Sequence, residues 1–263
     1  WKIRVPRVIA AFFSGAALSI SGMTFQALFR NPLATPYTLG VSSGAAFGAA
    51  MYVRLGIVFS LFGIAGQSVS AFAGASAALA VVYGLTRLRS GFSTVTMLLA
   101  GVAVSFSFSS LLLFIQYLSD FTNSFRIIRW MMGGLEIVGY RAVWSVMPVS
   151  IVGGLALLFL SRELNLISFG ETIALSRGVD TSKLKTMLFF IVSFMVGTVV
   201  SVAGPIGFVG MMCPHISRML VGHNHRYLMP ASFVFGGMFL VVCDTVARTA
   251  IAPAEIPVGV ITA

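Results

Sequence analysis

Charge is what this sequence has least of. Only 9% of its 263 residues are Asp, Glu, Lys or Arg, against roughly 25% in an ordinary soluble domain. Hydrophobic residues make up 58%, and the mean hydropathy is +0.99. A water-soluble fold has no means of covering so much apolar surface, so the bilayer must be the solvent. Short alternating runs are missing too. The apolar stretches are continuous and about 20 residues long, which excludes a closed β-barrel and indicates an all-α integral membrane protein. Cysteine is nearly absent. Cys213 and Cys243 lie in apolar surroundings, read as small buried hydrophobes, and offer neither a disulfide framework nor metal-site spacing. No nucleophile–base pair, phosphate-cradling loop or ligand cluster is visible. No catalytic residue, resident metal or cofactor is therefore expected in this chain.

What charge there is leans positive, 17 Lys and Arg against seven Asp and Glu, for a net +10. A basic balance often points to nucleic acid. Here the cations stand one to three at a time at the ends of apolar runs, as anchors beside lipid headgroups do, so nucleic acid is not an expected partner.

One stretch breaks the pattern. Residues 162–185, RELNLISFGETIALSRGVDTSKLK, form a mixed-charge island with Glu163, Glu171, Asp180, Arg162, Arg177, Lys183 and Lys185. It reads as structured: Ser168 can cap a short helix with Glu171 three positions on, and Gly178 can stop it. A compact helical loop between two spans suits a handle for a soluble partner. The plainer alternative is a solvated connector.

The apolar runs give about eight membrane-inserted segments. The first covers residues 8–29, about 33 Å of helix at about 1.5 Å per residue, with Gly15, Ala16, Ser19 and Gly22 at helix-packing spacing and Arg30-Asn31-Pro32 as its end. Next come 35–53, a short run suited to an inner helix, then 57–86 and 94–118. Residues 119–141 read as an interfacial loop with a short amphipathic helix, followed by spans at 142–161 and 186–203. Pro205 and Pro214 then predict broken helix, which membrane depth tolerates only where protein or a water-filled cavity receives it. A polar turn (223–226), a span at 228–250 and a final run from 256 complete the chain. Ser21-Gly22 with Gly44-Ala45 is faintly echoed by Ala203-Gly204, Pro214 and Gly236-Gly237, which hints at two related halves.

Ionisable residues near apolar runs are functional candidates by default. Asp244 stands four residues before Arg248, the spacing of a helical ion pair, and Glu255 between two prolines reads as an anchor for the last helix. His215, His223 and His225 read as structural or interfacial and not as metal ligands. With the island placed in the cytoplasm, inside loops hold Arg30, Arg87, Arg89, Arg162, Arg177, Lys183, Lys185, Arg218 and Arg226. The outside holds Lys2, Arg4, Arg7, Arg54, Arg126, Arg129, Arg141 and Arg248. Nine against eight shows no positive-inside bias. A docking surface for an acidic soluble partner would account for outer arginines; headgroup anchoring remains an equal explanation for Lys2, Arg54 and Arg141.

At RVPRVIAAFFSGAALSISGMTFQALFRNPLATPYTLGVSSGAA (4–46) the sequence resembles the permease subunit of type II ATP-binding-cassette importers, which take up iron–siderophores, haem and cobalamin. The resemblance returns at WMMGG (130–134), LNLISFGETIALSRGVD (164–180), AGPIGFVGMMCPHISRMLVGHNHRYLMPAS (203–232) and DTVARTAIAPAEIPVGVITA (244–263). It implies a ten-helix permease, of which residues 1–263 form a single transmembrane domain holding helices two to nine and the start of ten. Segments are expected beyond both ends. It also implies a multi-pass protein of a bacterial or archaeal inner membrane, paired as a homodimer or with a close relative. Two ATPase subunits would lie below, carrying ATP and Mg, and an extracytoplasmic solute-binding protein above. The chain itself would not be an enzyme. Gly170, Glu171, Ala174, Gly178 and Val179 match the coupling loop that seats in the ATPase. Arg4, Arg7 and Arg248 match arginines that receive acidic residues of the binding protein, and Ser93 and Thr94 match the cytoplasmic gate. A secondary transporter driven by an ion gradient is the alternative, and would depend on Asp244 or Glu255.

Overall fold

The computed structural model describes residues 4–61, 64–88, 93–135, 139–251 and 254–263. Lys2, Arg89 and Pro253 lie outside the described residues. The elements in chain order are α1 (Arg4–Phe29), a 3-10 turn (Pro36–Leu39), α2 (Val41–Leu55), strands β1 (Ser60–Leu61) and β2 (Ile64–Ala65), α3 (Gly66–Leu88), α4 (Thr94–Tyr117) and α5 (Phe121–Met131). They continue with α6 (Arg141–Phe159), α7 (Ser161–Phe169), α8 (Glu171–Ser176), α9 (Thr181–Ala203), α10 (Val209–Val221), α11 (His225–Thr249) and α12 (Val258–Thr262).

Helix α1 is the axle. Every residue from Ser14 to Leu28 is buried, and α11, α10, α6 and α9 pack around it. Its Ser14, Ser19, Ser21, Thr24 and Gln26 are poorly suited to lipid, and its small residues let neighbouring backbones come close, so it sits inside the bundle. Small residues set the approach distance. A Cβ added to Gly22 would lie 1.6 Å from the Gly210 carbonyl oxygen of α10, so only glycine permits this crossing. Pro214 helps from the other side. It has no N–H to bond the Gly210 carbonyl four residues back, and that carbonyl is the one lying against Gly22.

Among the described residues six helices, α1, α3, α4, α6, α9 and α11, are long and apolar enough to cross a membrane. Helix α2, with 15 residues, and α10, with 13, are shorter and pack among them on α3, α4, α1 and α11. Seven of the expected segments thus appear as α1, α2, α3, α4, α6, α9 and α11, the run from 256 holds only the short α12, and α10 is an added segment where broken helix was expected. Cys213 and Cys243 are free and buried, as read from their surroundings.

Several boundaries differ from the sequence reading. The run 57–86 is not one span. Gly56, at φ +62, closes α2, the chain then pairs Ser60 with Ala65 and Leu61 with Ile64, and helix resumes only at Gly66. Hydropathy averaged over the run does not register the turn. Helix α9 begins at Thr181 rather than 186, because the Asp180 carboxylate accepts the Lys183 N–H at 3.0 Å and caps it. Likewise α11 begins at His225, with the Asn224 side chain accepting from Arg226 N. Pro214 does not break helix; it lies inside α10. The break falls at 204–208, between Gly204 (φ +67) and Phe208 (φ +62). Protein receives it: the Tyr37 hydroxyl accepts the Ile206 N–H at 3.2 Å and donates to the Ile206 carbonyl at 2.8 Å. One side chain thereby satisfies both backbone groups of Ile206 within the interruption.

Candidate docking and coupling sites

The bundle carries its polar chemistry at its two ends. At the end where α1 begins and α11 finishes, four charged side chains converge. Arg7 is 6% exposed. Its Nε donates to Asp244 Oδ1 and Oδ2 at 3.0 and 3.2 Å, and its Nη2 donates to Oδ1 at 2.8 Å. Its Nη1 donates to Glu255 Oε2 at 2.8 Å. Arg248 Nε stands 3.2 Å from Asp244 Oδ2, the helical ion pair its spacing predicts. The Asp244 side chain is 1% exposed between the two guanidiniums. Charges this deep survive only when paired and hydrogen-bonded, and two cations against two carboxylates leave the cluster neutral.

Of the three arginines expected to face outward, the structure therefore leaves only Arg4 exposed and without an ion pair among the described residues. Arg7 is sequestered and Arg248 is partly so. The reason is long-range: Arg7 and Asp244 are 237 residues apart, a pairing that no local spacing announces. Glu255 does anchor the last helix, and it does so through Arg7.

Beside this cluster a cavity of about 680 Å3 opens between the ends of α2, α3, α5 and α9, lined by Tyr52, Gln67, Ser68, Arg126, Arg129 and Trp130 among others. Arg126 and Arg129, expected among the outer arginines of a docking surface, here line a cavity.

At the opposite end the island folds into two helices and not one. Helix α7 runs through Ser168, whose hydroxyl donates to the Asn165 carbonyl at 2.7 Å, so it is not the expected cap. Gly170 makes the corner instead, with φ +140. Helix α8 follows from Glu171 and ends as expected at Gly178. With φ +81, Gly178 donates to the Leu175 carbonyl at 2.9 Å while Val179 N reaches Ala174 O at 3.0 Å, the paired bonds of a Schellman end. Ala174 is fully buried, whereas Phe169, Ile173 and Leu175 are 75%, 45% and 56% exposed. These three apolar side chains on a polar loop form a knob, and sequence reading passed over them.

The knob is fastened. The Glu171 carboxylate pairs with the Lys185 ammonium in the second turn of α9, and Lys185 is 3% exposed. Asp180, at the α9 cap, has its carboxyl held below the usual range by the Lys183 N–H, with the Lys183 side chain adding to it. Asn165 ties α7 to the start of α11: its Oδ1 accepts from His225 N at 2.9 Å, and its Nδ2 donates to Asn224 Oδ1 at 3.0 Å. His225 is thus a structural residue, with Nδ1 2.6 Å from the same Asn165 oxygen. Ser93 and Thr94 lie at this end, at the start of α4, and no hydrogen bond joins them to the knob among the described residues.

Membrane-spanning helices with a fastened apolar knob at one end and a neutralised charge cluster at the other define a polytopic membrane protein suited to soluble partners. The model of the FecCD transport family matches residues 1–263, and the chain belongs to that family. It is 42% identical to the cobalamin import system permease BtuC of Halobacterium salinarum, over 99% of this chain and 69% of the relative. It is 36% identical to the hemin transport system permease HmuU of Yersinia pestis, over 99% and 78% respectively. A solved metal-chelate type ABC transporter in an inward-facing conformation superposes with a TM-score of 0.91 at 35% identity, covering 98% of this chain and 81% of that one. The chain is accordingly a multi-pass permease subunit of the cell membrane, and ATP hydrolysis belongs to a separate subunit.

Proposed function

We propose that this permease translocates an iron chelate, a ferric siderophore in the first place, or else haem or a cobalamin, handed over by an extracytoplasmic binding protein. The observation that carries the reading is the knob: exposed Phe169 at the end of α7 and exposed Ile173 and Leu175 on α8, with Ala174 buried beneath and α8 clamped by Glu171–Lys185. An exposed apolar cluster on a polar loop marks a protein contact, and the partner we assign is the ATPase, which holds ATP and Mg. Movement of α8 reaches α9 through the ion pair, and α9 packs on α1 and α6. The bundle thereby rocks as a body and opens to alternate sides.

Relatives named for cobalamin and hemin favour a large solute, although a 34% identical relative is named for molybdate import. The cavity of about 680 Å3 at the α5 end is within the ordinary range of small-molecule sites. Two permease subunits, identical or closely related, would work with two ATPases. Helix α4 turns Val95, Leu99, Phe106, Leu113 and Phe114 outward, a face that suits lipid and a second copy alike. Ser93 and Thr94 would then form the cytoplasmic gate at its foot. A proton or ion relay has no support: Asp244 and Glu255 are both engaged by arginine.

The test is ATP hydrolysis by the permease and its ATPase in liposomes. Liganded binding protein should stimulate the wild type. Glu171→Arg, which sets a second cation against buried Lys185, should reduce that stimulation by about tenfold or more, equivalent to about 1.4 kcal/mol of coupling. Undiminished stimulation would remove the knob from the coupling path.

A further inference from the structure

The four-charge cluster has an asymmetry that its pairing conceals. The Arg7 guanidinium is held on two sides by carboxylates of different standing. Its Nε and Nη2 go to Asp244, whose side chain is 1% exposed and which Arg248 also holds. Its Nη1 goes to Glu255, whose side chain is 41% exposed. One side is fixed and beyond reach of any partner, and the other is closed by a carboxylate that water already touches.

We propose that Glu255 occupies, in the undocked permease, the place on Arg7 that a carboxylate of the binding protein takes on docking, so that docking and release of the segment bearing Glu255 are a single exchange. This rests on the reading of this end as the docking face.

Charge makes the exchange necessary. Arg7, Arg248, Asp244 and Glu255 sum to zero, and a neutral cluster exerts little pull on an acidic surface. Arg4 supplies the pull. It is exposed, lies one turn before Arg7 on the same side of α1, and makes no ion pair among the described residues. An acidic lobe drawn to Arg4 arrives beside Glu255. Replacing one carboxylate by another on Nη1 conserves the charge-assisted hydrogen bond. Arg7 is thus never left buried with only Asp244, and the swap stays reversible.

What the exchange releases is specific. Glu255 belongs to the connector between α11 and α12. Around it the connector is held by Ala254 N to Ile251 O at 3.0 Å and Ile256 N to Ala247 O at 3.1 Å. Beyond it, Val258 is buried, and a Cβ on Gly259 would meet the Met132 carbonyl oxygen at 2.2 Å. Freeing Glu255 loosens the start of α12 against the end of α5, next to the cavity mouth that Arg129 and Gly134 share. Contact by the binding protein is thereby transmitted to the helix that borders the solute's path. In this scheme Glu255 is a positioning residue and never touches the cargo.

The experiment uses the complete permease–ATPase complex in nanodiscs and its liganded binding protein, with two readouts: binding affinity, and amide hydrogen exchange over residues 254–258. In the wild type, docking should speed exchange of the Ile256 amide. Glu255→Gln removes the competing charge, so it should bind the binding protein about tenfold more tightly and exchange fast before docking. Glu255→Asp, one methylene shorter with its charge kept, should fall between the two and guards against a folding defect in the first variant. Unchanged or weaker binding by both variants, with exchange at 254–258 as slow as in the undocked wild type, would overturn the exchange while leaving the docking face intact. Failure of the wild type to bind the binding protein at all would overturn the docking reading itself, and the exchange with it.

Discussion

Asp244→Asn should destabilise the permease by about 3–5 kcal/mol, the cost of breaking a buried ion pair by removing one partner. Asp244 is 1% exposed and lies between Arg7 and Arg248. The amide keeps the shape and loses the charge, leaving a guanidinium that is 6% exposed with Glu255 as its only anionic partner. Much of the loss comes from that stranded cation, so a second change should recover it. Arg7→Met in the Asp244→Leu background removes both charges and fills the space with apolar atoms. Such a pair should unfold within about 1–2 kcal/mol of the wild type, well above either single variant. Thermal unfolding in detergent compares the wild type, Asp244→Leu, Arg7→Met and the double variant as one cycle, with Asp244→Asn measured alongside. Additive losses in the double variant would mean that the two residues do not act as a pair.

Gly22→Ala is the second large effect. A methyl group at this position would lie 1.6 Å from the Gly210 carbonyl oxygen, and the obstacle is backbone, which cannot turn aside as a side chain would. Helices α1 and α10 must separate, and every helix packed on α1 shifts with them. Overpacking of this kind costs about 1–3 kcal/mol, and more where backbone is the obstacle; Gly22→Leu should give no folded permease. Gly84→Ala in α3 is the control, since nothing lies within 4 Å of its added Cβ. That change should leave stability unchanged or raise it by about 1 kcal/mol or less. Equal unfolding temperatures for Gly22→Ala and the wild type would contradict the close crossing.

How much of this was legible beforehand depends on the range of the interaction. Spans announced themselves through length and hydropathy, the Asp244–Arg248 pair through helical spacing, and the stop at Gly178 through its need for positive φ. All of these are local. The pairing of Ser60 and Leu61 with Ala65 and Ile64 escaped because the residues around it are as apolar as a span. Pro214 suggested a break; in α10 the carbonyl it frees is accommodated by Gly22, a residue 192 positions earlier in the chain. Ser168 carried the local signature of a cap, yet α7 continued through it and Gly170 took the corner. Arg7 with Asp244, Tyr37 with Ile206, and Asn165 with His225 are all meetings between distant segments, and composition holds no trace of them. The exposed triad Phe169, Ile173 and Leu175 was in plain view. Recognising it needed only the question of why a polar island keeps large apolar side chains.

The central claim is that ATP, spent in a partner and delivered through α8, drives import through this bundle. The measurement that tests it most directly is solute uptake into proteoliposomes holding the permease and its ATPase, with ATP trapped inside and liganded binding protein outside. Uptake should need ATP, survive an ionophore that dissipates ion gradients, and be lost with Glu171→Arg. Uptake that proceeds without the ATPase and collapses with the ionophore would contradict the account.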